Sequence, residues 1–75
     1  HWSNLMKAPI IVTAIINTRV EPHVVTGIFD NNVPVPLFDY YSNELSFTNE
    51  ELVGLTRTQA IRLKLTKDVA YLQAS

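Results

Sequence analysis

Residues 47–63, FTNEELVGLTRTQAIRL, contain two helix start signals that lie eight residues apart. In the first signal, Thr48 is followed three positions later by Glu51. This spacing predicts a capping box, in which the threonine hydroxyl accepts a hydrogen bond from the glutamate amide and the glutamate carboxylate accepts one from the threonine amide. Thr56 and Gln59 repeat the pattern. The stretch therefore predicts two consecutive helices with well-defined starts.

A turn at Gly54 separates the two predicted helices, because glycine readily adopts the left-handed conformation that ends a helix. The first helix is predicted to be short, and the second to run over residues 57–72. The second helix carries apolar residues at helical spacing, which predicts the face that packs in the core: Ile61, Leu65, Val69 and Leu72. Leu63 and Ala70, and more loosely Ala60 and Tyr71, lie off this face and form a second, weaker apolar flank.

The residues before these helices alternate with the period of two that is typical of β-strands. Strands are predicted over residues 8–20, 23–29 and 33–38, with turns at Glu21-Pro22 and over residues 30–32. Alternate residues of the first strand are predicted to form its inward face: Ile10, Val12, Ala14, Ile16 and Val20. The opposite face is predicted to be partly covered, since it carries Ile11 and Ile15 among polar residues.

Two prolines and a glycine constrain where these strands lie. Pro34 and Pro36 have no amide hydrogen to donate, so the third strand is predicted at an edge of the sheet. Gly27 predicts a bulge or a close backbone approach. Residues 39–46 are interpreted as a continuation of the third strand that ends in a turn at Ser42-Asn43.

Strands that precede helices favour an α+β fold with an antiparallel sheet. We predict a three-stranded antiparallel β-meander, then a short helix and a longer C-terminal helix packed on the sheet (βββαα). Residues 1–7 are interpreted as an N-terminal extension in which His1–Leu5 is an expression remnant and Met6 is the native start. Residues 8–75 are predicted to form a single domain.

The bulk composition bounds the function. The chain has 75 residues, no cysteine, 47% hydrophobic residues and a net charge of −1. A domain of this size has a thin core, and disulfides are excluded as a means of stabilising it. A homodimer is therefore predicted, in which the candidate interface residues lie on the second helix and the third strand: Leu63, Ala70, Tyr40 and Phe38.

A DNA-binding regulator is the alternative prediction. The segment ELVGLTRTQAIRL resembles the second and third helices of small excisionase-like and resolvase-like regulators. The resemblance implies that one set of side chains at the start of the second helix would contact DNA: Arg57, Thr58, Gln59 and Arg62. Glu50 departs from the pattern, because a small residue is required four positions before the turn glycine. The negative net charge also disfavours DNA binding.

Other candidate sites are weaker on sequence grounds. A carboxylate set, Asp30, Asp39 and Glu44, matches no calcium loop. His23 has Glu21 or Asp39 as a possible acid–base partner, but no serine or cysteine lies in the context of an activated nucleophile. A small-molecule pocket lined by His23, Asp39 and Tyr41 is the third hypothesis. No catalytic residue, metal ligand or cofactor is predicted.

The leading prediction is a small non-catalytic interaction protein that acts as a homodimer with an unidentified protein partner. Its C-terminal stretch, ELSFTNEELVGLTRTQAIRLKLTKDVAYLQ, is similar to short uncharacterised bacterial and phage proteins, which suggests an accessory or inhibitor protein of a phage or mobile element. The sequence has no apolar run of transmembrane length. With no cysteine and no targeting signal, a cytoplasmic location without membrane contact is predicted.

Overall fold

The computed structural model describes residues 7–74, which form a three-stranded sheet followed by two helices. The elements are β1 (Ile11–Asn17), β2 (His23–Phe29), β3 (Pro34–Tyr40), α1 (Asn49–Leu52) and α2 (Arg57–Ala74). Each strand pairs antiparallel with the next, and their order across the sheet is β1-β2-β3. The predicted α+β, βββαα architecture is confirmed. The prediction of a native start at Met6 lies outside the described residues.

The element boundaries follow the sequence signals closely. β2 has the predicted bounds, whereas β1 is shorter than the predicted strand over residues 8–20. β3 continues to Tyr40 and a turn follows over residues 42–44, so the interpretation of residues 39–46 is confirmed. α2 ends at Ala74, two residues beyond the predicted end.

Both predicted capping boxes are present. The Thr48 hydroxyl accepts from the Glu51 amide at 3.3 Å, and the Glu51 carboxylate accepts from the Thr48 amide at 3.1 Å. At the start of α2, the corresponding distances between Thr56 and Gln59 are 3.2 and 2.9 Å. Gly54 has a φ of 91° and lies in the turn between the helices, as its position predicted.

The inward face of β1 differs from the prediction. Ile11 is fully buried, whereas Val12 is 48% exposed. The register between β1 and β2 shifts between Ile11 and Thr13, which leaves Val12 as the extra residue of a β-bulge. Because an extra residue reverses the alternation, Ile11 shares the core face with Ala14 and Ile16. The prediction that Val12 points inwards was wrong for this reason.

A second register shift, between β2 and β3, places Leu37 opposite no single residue of β2. Leu37 is buried and Phe38, its neighbour, also packs against the core. Gly27 lies beside this bulge on β2. A methyl group added to Gly27 would lie 3.1 Å from Leu37 Cδ1 and 3.2 Å from Phe29 Cε1. The close approach at Gly27 is therefore made by core side chains and not, as predicted, by backbone.

The core lies on one face of the sheet, beneath the two helices. Its buried members are Ile11, Val25, Phe29, Leu37, Tyr40, Phe47, Leu52 and Ala60. The Phe47 ring is central, since its centroid lies 4.8 Å from that of Phe38 and 4.9 Å from that of Tyr40. Burial raises the pKa of the Tyr40 phenol above its ordinary value, and the charges of Glu21 and Glu51 act in the same direction.

Each edge strand of the sheet has features that limit pairing with a further strand. β3 is an edge strand, as Pro34 and Pro36 predicted. On the other edge, the Ile11 amide donates to the Leu55 carbonyl at 2.8 Å. The Ala14 amide donates to the side-chain oxygen of Asn49 at 2.6 Å, so the first residue of α1 is bonded to the middle of β1.

Candidate functional site

α2 packs against the sheet with one narrow face, and this contact lies near the start of the helix. Ala60 is the one residue of this helix that is buried, at 0% exposure, and Leu63 packs against the core beside it. The helix contacts β3 through this face. Since alanine has a single methyl group, the helix backbone approaches the sheet closely at this point.

Lys67 fixes the middle of α2 to the segment before it. Its ammonium group donates to the Ser46 carbonyl at 2.5 Å and to Glu51 Oε1 at 2.7 Å, and lies 4.0 Å from the centroid of the Phe47 ring. The same Glu51 oxygen accepts from Thr48 in the capping box of α1. The ion pair therefore connects the two helices, and the lysine covers the aromatic core.

The apolar stripe predicted as the core face of α2 is largely exposed instead. We define the apolar stripe of α2 as Ile61, Leu65, Val69 and Leu72. Leu65, Val69 and Leu72 are 55%, 49% and 70% exposed, and Ile61 is partly buried. At about 100° per residue, this stripe lies well away from the face that contains Ala60. The prediction was wrong because α2 has two apolar faces, and the less hydrophobic one contacts the sheet.

The end of α2 extends beyond the body of the protein. Every residue from 69 to 74 is exposed, on all sides of the helix. Tyr71, which lies on the sheet-facing side of the helix by its spacing from Ala60, is 37% exposed for the same reason. Helices are stabilised in proteins mainly by the packing of an apolar face, so this exposed end is the part of the molecule that a partner would stabilise most.

The predicted interface residues lie mostly inside the fold. Tyr40 is buried, and Phe38 and Leu63 pack against the core. Ala70 is exposed and lines a shallow depression between Leu65 and Gln73. Of the four candidates, Ala70 is the one that is exposed, whereas Phe38 and Leu63 are partly buried.

The side chains predicted to contact DNA are all exposed, but they do not form one surface. Gln59 uses its side-chain oxygen to accept from the Thr56 amide in the capping box. Thr58 and Arg62 are four residues apart and share a face of α2, whereas Arg57 lies about 140° away from Arg62 around the helix. The preceding helix, α1, has only four residues, which is shorter than a helix-turn-helix unit needs.

His23, Glu21 and Ser42 form a polar cluster next to Tyr40. Glu21 accepts from the Ser42 amide at 2.8 Å and from the Ser42 hydroxyl at 3.0 Å. His23 Nδ1 lies 2.8 Å from the Val20 carbonyl and 3.0 Å from Glu21 Oε1. Both are acceptors, so Nδ1 carries the proton. The Ser42 amide, together with the Ser42 hydroxyl and His23, lowers the pKa of Glu21.

This cluster stabilises the turn between β1 and β2. The Ser42 hydroxyl donates to the carboxylate and not to the histidine, so no general base acts on it through His23. The contacts join the turn between β1 and β2 to the residue that follows β3 by two positions. The cluster therefore stabilises one end of the sheet.

The remaining sequence candidates are not brought together. Asp39 lines a shallow depression with Val24 and Lys64, while His23 contacts Glu21 and Tyr41 is exposed. Within residues 7–74, no group of three acidic, histidine or cysteine side chains has an arrangement that would hold a metal ion. No helix in that same part of the chain combines the length and apolar character needed to cross a membrane.

Comparison with known proteins gives no match to a protein-family model, a curated protein or a solved structure. The most prominent feature that the core does not explain is the apolar stripe of α2. The sequence showed this stripe clearly through its spacing, but a spacing of four residues marks an apolar face without indicating what covers it.

Proposed function

We propose that the chain is a small non-catalytic interaction protein that acts as a homodimer through the apolar stripe of α2. The supporting observation is the exposure of Leu65, Val69 and Leu72 on one side of a helix whose end extends beyond the sheet. Contiguous exposed apolar side chains are typical of interaction surfaces. As predicted from the sequence, we place the protein in the cytoplasm and assign it an accessory or inhibitor role toward a further protein partner.

A second copy of the chain is the partner that we assign to this surface, because a two-fold dimer brings the same surface of both copies together. In a two-fold dimer the same patch faces itself, so a straight apolar stripe on one helix packs against its own copy as two crossing helices. The side of α2 opposite Ala60 faces away from the sheet, so two copies approach there without contact between their sheets. Lys64 and Asp68 form an ion pair at 2.7 Å near the stripe, so both charges are already compensated within one chain.

The size of the stripe predicts a weak dimer. Specific interfaces bury roughly 800 Å² on each partner, and four side chains on one helix supply only part of that area. We therefore expect the interface to include the polar side chains that border the stripe. A dissociation constant in roughly the micromolar range is expected for an interface of this kind.

The test is sedimentation of the purified protein over a range of concentrations. The intact chain is expected to reach twice the 8.5 kDa mass of one copy as the concentration rises. Val69→Lys places a charge in the stripe and should keep the protein monomeric at every concentration. Val20→Lys is the matched control, since Val20 is a valine of similar exposure in the turn between β1 and β2.

Two results would contradict the proposal. One is an intact protein that stays monomeric at several hundred times the expected dissociation constant, or roughly millimolar concentration by the same affinity scale. The other is a dimer that Val20→Lys disrupts and Val69→Lys leaves unchanged. Addition of duplex DNA to the same samples tests the alternative function, since a complex that dissociates steeply with salt would assign residues 48–64 to DNA binding instead.

A further inference from the structure

A cavity of about 240 Å³ lies on the other side of the molecule, between the β2–β3 hairpin and the start of α2. Its walls are apolar and are formed mainly by Pro9, Phe29, Val33 and Val35. Phe29 is a buried member of the core, so the floor of the cavity is part of the rigid sheet. At this volume the cavity takes a small molecule rather than a drug-sized ligand.

Among the described residues 7–74, the rim of this cavity carries hydrogen-bond donors and no acidic side chain. Its polar members are Asn31, Thr56, Arg57 and Thr58. Asn31 uses its side-chain oxygen to accept from the Val33 amide, which leaves its amide nitrogen as a donor. The Thr56 oxygen accepts from the Gln59 amide, which leaves its hydroxyl hydrogen as a donor. The rim therefore favours a ligand that accepts hydrogen bonds.

Arg57 gives this rim a positive charge. Within residues 7–74, Arg57 takes part in none of the contacts between basic and acidic side chains, which join His23 to Glu21, Lys64 to Asp68, and Lys67 to Glu51. A guanidinium group pairs with a carboxylate through two parallel hydrogen bonds. An uncompensated arginine beside apolar walls is thus complementary to an anion that carries a compact apolar group.

We propose that this cavity binds a small apolar carboxylic acid, with the apolar group against Phe29 and Val35 and the carboxylate on Arg57. The inference is independent of the dimer, because the cavity and the apolar stripe of α2 share no residue. It differs from the small-molecule pocket predicted from the sequence, since none of His23, Asp39 and Tyr41 lines it. The site would give the interaction protein a ligand to respond to.

The experiment is a titration of isotope-labelled protein with phenylacetate, followed by amide NMR. Saturable shifts are expected for Asn31, Val33 and Thr58. Phenylacetamide, which has the same shape and no charge, is expected to bind roughly tenfold to a hundredfold more weakly, as is typical when a charge-assisted hydrogen bond is lost. The Val69→Lys variant is titrated in parallel, so that the result does not depend on dimer formation.

Two arginine variants test whether Arg57 is the positive charge that binds the carboxylate. Arg57→Gln should reduce the affinity for phenylacetate by roughly the same factor. Arg62→Gln, an equally exposed change on another face of α2, should leave it unaltered. The proposal is overturned if the acid and the amide bind equally, if the two variants behave alike, or if no saturable shift is seen at millimolar phenylacetate. Shifts that are saturable but centred on α2 beyond Lys67 also overturn it.

Discussion

The two faces of α2 differ in a way that the sequence alone conceals. The face toward the sheet has a small residue, Ala60, one large apolar residue, Leu63, and two lysines whose ammonium groups are engaged in ion pairs. The other face has the longer and more hydrophobic series of side chains, yet it is exposed. The contact between this helix and the sheet therefore depends on fit at a few positions more than on the total hydrophobicity of a face.

Enlarging the closest contact should have the largest effect on folding. We expect Ala60→Leu to lower the free energy of unfolding by about 3 kcal/mol, because no space exists for three further carbons between α2 and the sheet. Ala70→Leu, on the exposed surface of the same helix, should change it by less than about 0.5 kcal/mol. Urea denaturation measures both. Equal effects of the two substitutions would mean that Ala60 does not determine the distance between α2 and the sheet.

Shortening one leucine on each face should separate stability from association. Leu63→Ala is expected to cost about 2 kcal/mol, at the low end for leucine because Leu63 is only partly buried. Leu65→Ala should have little effect on the stability of the monomer but should weaken the dimer. Thermal unfolding is measured at low concentration and sedimentation at high concentration. If Leu65→Ala lowers the stability of the monomer more than Leu63→Ala does, the assignment of the faces is wrong.

The two lysines of the sheet-facing side provide a finer test. Lys67→Ala removes an ion pair between helices and a contact with the Phe47 ring, and we expect a loss of about 1 kcal/mol. Lys64→Ala removes a pair within one helix and should cost about 0.4 kcal/mol. Chemical denaturation at low and high salt compares them. A larger decrease in the free energy of unfolding for Lys64→Ala than for Lys67→Ala would mean that Lys67 does not connect α1 to α2.

The smallest effect concerns the polar cluster of His23, Glu21 and Ser42 at one end of the sheet. The pKa of Glu21 is lowered in the folded state, so the unfolded state binds its proton more readily. This contribution to stability is present above the ordinary value of 4.5 and is lost as the pH falls through the lower folded value. Glu21→Gln should therefore flatten the acid side of a plot of melting temperature against pH. An unchanged acid limb would contradict the role of Ser42.

Local signals were read correctly from the sequence because their causes are local. Both capping boxes, the turn at Gly54 and the edge position of the strand with Pro34 and Pro36 depend on residues within a few positions of each other. The predictions were wrong where the local structure depends on a contact with residues far away in the sequence. The bulge at Val12 depends on pairing with β2, and the orientation of α2 depends on the fit of Ala60 against the sheet.

The candidate interaction surface illustrates the same limit. Its four residues were found by their spacing, but their role was misassigned, since a helix with two apolar faces has two ways to meet a sheet. The cavity beside Arg57 gave no sequence signal at all. Its walls come from the hairpin and the segment before β1, and its charge comes from the start of α2, so only the folded chain brings them together.

The bond between Asn49 and Ala14 has a consequence for how copies of this chain can accumulate. A sheet with open edges recruits further strands and leads to cross-β fibrils, whose growth has no natural end. Here one edge strand contains two prolines, and on the other the amides of Ile11 and Ala14 are already engaged. Pairing of further strands at these two edges is thereby disfavoured. Association through a strand edge would first have to break the bonds of Ile11 and Ala14 on one side and would find no proline amide on the other.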